Sequence, residues 1–178
     1  MNILLVILYV ILSLVAILLL LALLAPKQYA INRQILIDQS TQKVFSYLKH
    51  LKNQDQFSKW VMMDPNMKKN YNGTDGTVGF VYAWHGNQQA GKGEQEIINI
   101  EDQRKIDIDV RFILPFKGFA KTQFRTEPLS ADQTRVTWAM NSRMRYPMNI
   151  MLMFMNMDKM LGKDIETSLV TLKGNLER

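Results

Sequence analysis

The chain has no cysteine, only two histidines, and no charged side chain before Lys27. Without cysteine there is no disulfide, no thiolate metal ligand and no thiol nucleophile, an absence compatible with either side of a membrane. His50 sits among Lys49, Lys52 and Asn53 and reads as an exposed helix end; His85 has the opposite strand parity to Phe80 and Tyr82 and reads as solvent-facing. Neither has a second histidine at ligand spacing, so no metal site is assigned, and no cofactor. No serine sits in a glycine-flanked elbow, which removes the nucleophile of the hydrolase type. No Lys/Arg run is interleaved with aromatics, which sets nucleic acid aside. There is no internal repeat and no Gly/Ser-rich linker, so 178 residues make one domain plus an appendage.

The appendage is the run from Ile3 to Ala25, interrupted only by Ser13. About 20 such residues cross the hydrocarbon core of a bilayer. A cleaved signal peptide would need basic residues in front, a shorter apolar run and a small-x-small cleavage site, but no Lys or Arg precedes this run, it is too long, and "LALLAPK" is a poor cleavage match. The reading is an uncleaved anchor over residues 1–26 and a folded domain over 27–178. Lys27 and Arg33 follow the run closely and nothing basic precedes it, so the positive-inside rule places the domain in the cytoplasm. All 22 Lys and Arg and all 16 Asp and Glu lie beyond the run, so the net +6 belongs to the domain and suits anionic headgroups.

Beyond Pro26, "QYAINRQILID" reads as a strand, and "STQKVFSYLKHL" as a capped helix with Val44, Phe45, Leu48 and Leu51 at helical spacing. A short helix over "NQDQFSKW" follows. From Lys68 to Met144 the apolar period falls to about two. Six strands are predicted there, turning at Asn72–Gly76, at Glu101–Arg104 and through "PLSADQ". Consecutive strands without an intervening helix make the sheet antiparallel. After Pro147 the spacing predicts one helix almost to the end, with Ile150, Phe154, Met157, Leu161, Ile165, Leu169, Leu172 and Leu176 on one stripe.

This order resembles the START-like, or SRPBCC, superfamily and its polyketide cyclase/dehydrase branch. The resemblance is carried by "ILIDQSTQKVFSYLKHLKNQDQFSKW", "GTVGFVYAWHGN", "GKGEQEI", "FILPFKGFAKTQF", "TRVTWAM" and "MDKMLGKDIETSLVTLKGNL", which together span most of Arg33 to Leu176. It implies an α+β helix-grip fold, a seven-stranded antiparallel sheet wrapped around a long C-terminal helix with an apolar cavity between them. Similar proteins bind lipids, sterols, polyketides or other hydrophobic molecules, and some are aromatases or cyclases. The anchor departs from the simplest family pattern, because a freely diffusing carrier does not need one.

Alternation puts Phe80, Tyr82 and Trp84 on one strand face and Val136, Trp138, Met140 and Met144 on another. The expected cavity lining is Trp60, Phe80, Tyr82, Trp84, Phe112, Trp138, Met140, Phe154 and Met157. Glu94 and Glu96 share the parity of Ile98 and Ile100, so inward-facing isoleucines would bring both carboxylates inside. Buried paired acids have raised pKa values, which makes Glu94, Glu96 and Tyr82 the candidate proton-transfer groups of a cyclase or dehydratase. Asp107 and Asp109 alternate with isoleucines as in a half-exposed strand, and "NGT" at Asn72 suits a turn.

Six of the twelve methionines fall between Met148 and Met160. On a continuous helix Met148, Met151 and Met155 form one group and Met153, Met157 and Met160 another, a spacing that soft Cu(I) accepts. Methionine also fills irregular apolar space. The face with Met148, Leu152 and Met155 has no partner in such a fold, and the anchor makes the bilayer its nearest cover. "ILPFKGF" places Phe116, Lys117 and Phe119 at a turn expected near the cavity entrance, with Lys117 at phosphate height. The expectation is a single-pass membrane protein whose domain binds a hydrophobic small molecule or lipid without catalysis. A cyclase/dehydratase and a protein-interaction module are the alternatives.

Overall fold

The computed structural model describes residues 2–178. Helix α1, Ile3–Leu24, is 22 residues long and about 33 Å at 1.5 Å per residue, with nearly every side chain exposed. Strand β1 (Gln28–Ile37) follows, then α2 (Thr41–Leu48), a 3₁₀ turn (Leu51–Gln56) and α3 (Lys59–Met62). Six strands come next: β2 (Lys68–Asn72), β3 (Val81–His85), β4 (Lys92–Glu101), β5 (Lys105–Leu114), β6 (Gly118–Ser130) and β7 (Gln133–Arg143). A second 3₁₀ turn (Met148–Ile150), α4 (Met151–Phe154) and α5 (Met157–Leu176) complete the chain.

The strands form one antiparallel sheet in the order β1-β7-β6-β5-β4-β3-β2. Every pairing joins sequence neighbours except β1 with β7, which carries the chain's first strand to the far side of the meander. Alternation decides which face is covered. Thr134, Val136, Trp138 and Met140 of β7 and Ala120, Thr122, Phe124 and Thr126 of β6 are buried beneath the helices, while their neighbours are solvated. Ile165, Leu169, Leu172 and Leu176 of α5 and Val44, Phe45 and Leu48 of α2 close over that face. Each such fully buried side chain contributes about 1.5–3 kcal/mol of transfer free energy.

Helix α5 is clamped to the edge strand by Arg33, whose guanidinium bonds Asp158 at 2.9 Å and also reaches Glu166. Those hydrogen bonds and charges hold the Asp158 carboxyl below its ordinary range. Gly162 makes the clamp possible, since a Cβ there would lie 2.2 Å from the guanidinium.

The single helix expected after Pro147 is two pieces. Met155 is extended (φ −109°, ψ 122°), and Asn156 starts α5 afresh by accepting the Lys159 N–H at 2.8 Å. A break resets helical phase, so Phe154 leaves the predicted stripe and stands 76% exposed, while Leu161 to Leu176 keep it. The same break takes Met153 out of helical register with Met157 and Met160, and that trio of thioethers dissolves. Asn156 followed by Asp158 is a start signal, N-cap plus acid in the first turn. The turn expected at Asn72–Gly76 is a longer connection, with Gly73, Gly76 and Gly79 all at positive φ before β3 begins at Val81.

Candidate functional site

Sheet register places six chain positions at one end of the molecule. Gln28 pairs with Arg143, Phe112 with Gly118, Lys92 with Leu114 and His85 with Lys92, so β1 starts, β3 ends, β4 starts, β5 ends, β6 starts and β7 ends together, beside the last turn of α1. At this end α5 does not reach across the sheet, because it begins level with Arg33, halfway along β1. Between the uncovered sheet, α3 and the second turn of α5 lies a cavity of about 380 Å³. Small-molecule sites commonly measure about 300–1,000 Å³.

Its walls are mostly aromatic. All three tryptophans of the chain, Trp60, Trp84 and Trp138, line it with Tyr82 and Phe112. Trp138 packs edge-on to Trp60 at 5.7 Å between ring centres, and Trp84 edge-on to Phe112 at 6.2 Å. The indole N–H groups are engaged by the protein: Trp138 donates to Thr122 Oγ1 at 2.8 Å, Trp84 to the Ala90 carbonyl at 3.1 Å and Trp60 to Asp164 Oδ2 at 3.1 Å. Gly93 gives Trp84 its seat, because a Cβ there would come within 2.6 Å of both the indole and the Arg111 carbonyl. Gly93→Ala is therefore expected to cost about 1–3 kcal/mol by overpacking against backbone. Urea unfolding of the full chain measures it, and an unchanged midpoint would show that the seat is not tight.

The 3₁₀ turn Leu51–Gln56 closes the inner end. Gln54 accepts a hydrogen bond from Gln95 at 3.1 Å, and Tyr82 donates from its hydroxyl to Asp55 Oδ1 at 2.7 Å. Burial, with the Asp55 hydrogen bond adding to it, holds the Tyr82 hydroxyl protonated far above the usual tyrosine range. The mouth is shaped by Leu114, Pro115, Gln89 and Ala90. Asp64 fixes that rim by accepting the Asn87 N–H at 2.7 Å.

Six of the expected lining residues, Trp60, Tyr82, Trp84, Phe112, Trp138 and Met140, meet in this space; Phe80, Phe154 and Met157 do not. Phe80 is buried in the core next to Tyr71, at 6.2 Å between rings. Phe154 and Met157 lie on either side of the break, Phe154 exposed and Met157 half-buried. Glu94 and Glu96 are on the outer face, where Arg111 bonds both at 3.2 and 2.9 Å. A bulge between Ile97 and Asn99 explains the reversal. Ile97 and Ile100 both point inward across it, so parity counted from Ile100 is wrong by one residue before it, and Gln95 occupies the inner position. Two of the proton-transfer candidates are thus outside the cavity, and the third is a hydrogen-bond donor committed to Asp55. Sequence reasoning missed Gln54, Gln95, Val110, Leu161 and Asp164, which line the space too. The bulge hid Gln95, but Leu161 already stood on the predicted stripe.

A wider hollow of about 410 Å³ lies on the outer sheet face at the same end, between Gln28, Ala30, Phe119, Lys121, Asn141 and Arg143. It lacks the aromatic walls that enclose the inner cavity. Of the other residues expected at a membrane surface, Phe116 is 72% and Met148 46% exposed, Lys117 is exposed, and Leu152 and Met155 are half-buried. Among the described residues no group of three His, Asp or Glu side chains is placed to hold a metal.

No family model and no curated protein matches the chain in sequence. Solved structures do match in shape. Protein CV1439 from Chromobacterium violaceum superimposes with a TM-score of 0.60 at 12% identity, covering 84% of this chain and 97% of its own. Norcoclaurine synthase from Thalictrum flavum, in complex with dopamine and hydroxybenzaldehyde, gives 0.58 at 10% identity over 82% and 87%. The Aha1 dimer from Colwellia psychrerythraea gives 0.57 at 16% over 84% and 96%. The fold is the helix-grip fold. At these identities the likeness establishes the architecture alone, which supports a diversity of functions. In helix-grip terms the cavity lies between sheet and grip helix, and the break at Asn156 leaves it uncovered toward α1.

Proposed function

We propose that the protein is a membrane-anchored binding protein that holds a hydrophobic small molecule or lipid, without turning it over, between its sheet and α5. The observation that carries this reading is the place of the aromatic cavity, at the end of the sheet that adjoins the apolar helix. Its rim residues Leu114 and Pro115 belong to the loop that carries Phe116, so the mouth and the most exposed aromatic of that loop share one edge.

Charge supports the membrane part. At this end, residues 25–32, 86–93, 112–122 and 139–157 hold Lys27, Lys92, Lys117, Lys121, Arg143 and Arg145 and no acid, and the segment before β2 adds Asp64 and Lys68 as one charge of each sign. The other sixteen Lys and Arg, Lys68 among them, are balanced by the 16 Asp and Glu, so the first six account for the whole net charge of +6. None of the six makes an ion pair among the described residues, although Asp109 of β5 pairs in register with Lys121. A predominantly cationic end beside an apolar helix fits anionic headgroups, and it strengthens the cytoplasmic orientation drawn from Lys27 and Arg33. α1 is the anchor in this reading, and Tyr146 donates to the Leu19 carbonyl at 3.4 Å, so the chain around Pro147 rises alongside its last turns. An aromatic with a polar tip is suited to that depth.

The test is extraction of the detergent-purified full chain followed by mass spectrometry, beside a Leu161→Trp variant whose indole fills the cavity. A stoichiometric apolar compound is expected in the native chain and not in the variant. Equal recovery from both would place the bound material in the micelle, and the reading would fall.

A further inference from the structure

At the closed end of the cavity, a pair of side-chain amides is not fully absorbed by the protein. Gln54 and Gln95 are 5% and 6% exposed, both face the space, and their side chains share a single hydrogen bond, from Gln95 Nε2 to Gln54 Oε1 at 3.1 Å. That bond leaves the Gln54 amide nitrogen and the Gln95 amide oxygen without a partner in the chain, a donor and an acceptor side by side at the closed end. Of the other polar groups near them, Tyr82 is engaged with Asp55, Trp138 with Thr122, and Thr122 in turn with the Ala139 carbonyl, while the Ser58 hydroxyl, one helical step from Gln54, faces the same space and adds a third group to the polar end. The charge inventory of the walls is equally specific. Asp164 is the one ionised side chain lining the cavity, and Lys59 and Trp60 Nε1 neutralise and cover it. No lysine or arginine lines the space, so an anionic head would enter without a counter-charge, and burying an unpaired charge is far more costly than burying a hydroxyl.

We propose that the occupant is a neutral amphiphile, an apolar body of roughly 15–20 heavy atoms carrying one hydroxyl or carbonyl group that is read by the Gln54–Gln95 amide pair. The body lies among Trp60, Trp84, Phe112 and Trp138, and the polar tip points away from the membrane end. A hydroxyl satisfies both amides at once, since it accepts from Gln54 Nε2 and donates to Gln95 Oε1. A carbonyl satisfies only the first. Hydrocarbon of the same shape leaves both amides buried and unpaired, and a site built to hydrogen-bond discriminates strongly against such analogues. This inference rests on the binding reading above.

The test uses the full chain in detergent, loaded separately with farnesol, farnesene and farnesyl phosphate. Retained probe is counted by mass spectrometry after affinity capture, with Leu161→Trp as the blank for micelle-bound material. Farnesol is expected at least tenfold above farnesene, and farnesyl phosphate no higher than farnesene. In Gln54→Leu/Gln95→Leu the farnesol-to-farnesene ratio is expected to fall about tenfold with farnesene retention kept, and a comparison of ratios cancels partitioning into the micelle. Should the double variant unfold, Gln54→Met, which keeps side-chain length, replaces it. A ratio indifferent to these substitutions, or a preference for the phosphate, overturns the amide-pair inference while the binding reading stands. No probe retained above the blank overturns both.

Discussion

Trp138→Ala is expected to destabilise the domain by about 3–5 kcal/mol, a large part of the 5–15 kcal/mol that ordinarily separates folded from unfolded states. The indole is 3% exposed and sits where three layers meet: Phe124 of β6 at 4.6 Å, Phe57 before α3 at 6.1 Å and Trp60 of α3 at 5.7 Å between ring centres. Truncation would enlarge a space that already exists on one side, so the surrounding rings have little to collapse onto. Trp138→Phe separates packing from polarity. It keeps an aromatic body but removes the donor to Thr122, whose hydroxyl passes the bond on to the Ala139 carbonyl, and about 1 kcal/mol is expected. Chemical denaturation in detergent measures both variants. A loss under 1 kcal/mol for Trp138→Ala would mean that the core is centred elsewhere.

The degree to which this structure can be read from its sequence depends on whether a local period runs uninterrupted. Alternation along β7 is unbroken from Thr134 to Met140, and it correctly assigns Val136, Trp138 and Met140 to the covered face. Along β4 the same rule fails at Glu94 and Glu96, because one bulge residue inverts every side chain before it. The C-terminal stripe behaves alike: Leu161 to Leu176 follow helical phase, whereas placing Phe154 on the stripe carries that phase back through Asn156. Both errors come from extrapolating a period across a discontinuity. The cavity lies beside those discontinuities. Gln95 reaches the inner face by virtue of the bulge, and the sheet end stays uncovered because α5 starts late. Methionines 148 to 160 accordingly belong to separate elements: Met148 to the 3₁₀ turn at the end of α1, Met151 and Met153 to α4, Met155 to the break, and Met157 and Met160 to the grip helix.

Asn149 is what joins the first of these elements to α1, and Asn149→Leu is expected to loosen the joint without unfolding the domain. The C-terminal turn of any helix leaves carbonyls without helical partners. Here the Asn149 amide, fully buried, donates to the Ala22 carbonyl at 2.7 Å and the Ala25 carbonyl at 3.1 Å, and Ala22 and Ala25 are themselves buried against the turn Met148–Ile150. Leucine keeps the volume and removes the donor, so two buried acceptors lose their partner at a cost of about 1–3 kcal/mol. The unpaired Asn149 Oδ1 disappears in the same substitution and offsets part of that cost. The net change, of the order of 1.4 kcal/mol, corresponds to about a tenfold rise in the population of the undocked joint. The sheet core is built from other residues and is expected to keep its unfolding midpoint. Trypsin cleavage after Lys27 in nanodisc-embedded protein reads the undocked population directly, because cleavage of a rapidly reclosing segment follows its open fraction. A tenfold faster cut with an unchanged midpoint is the expected result. Unchanged cleavage would show that α1 is positioned by something other than Asn149, and a lowered midpoint would make the turn part of the domain's core.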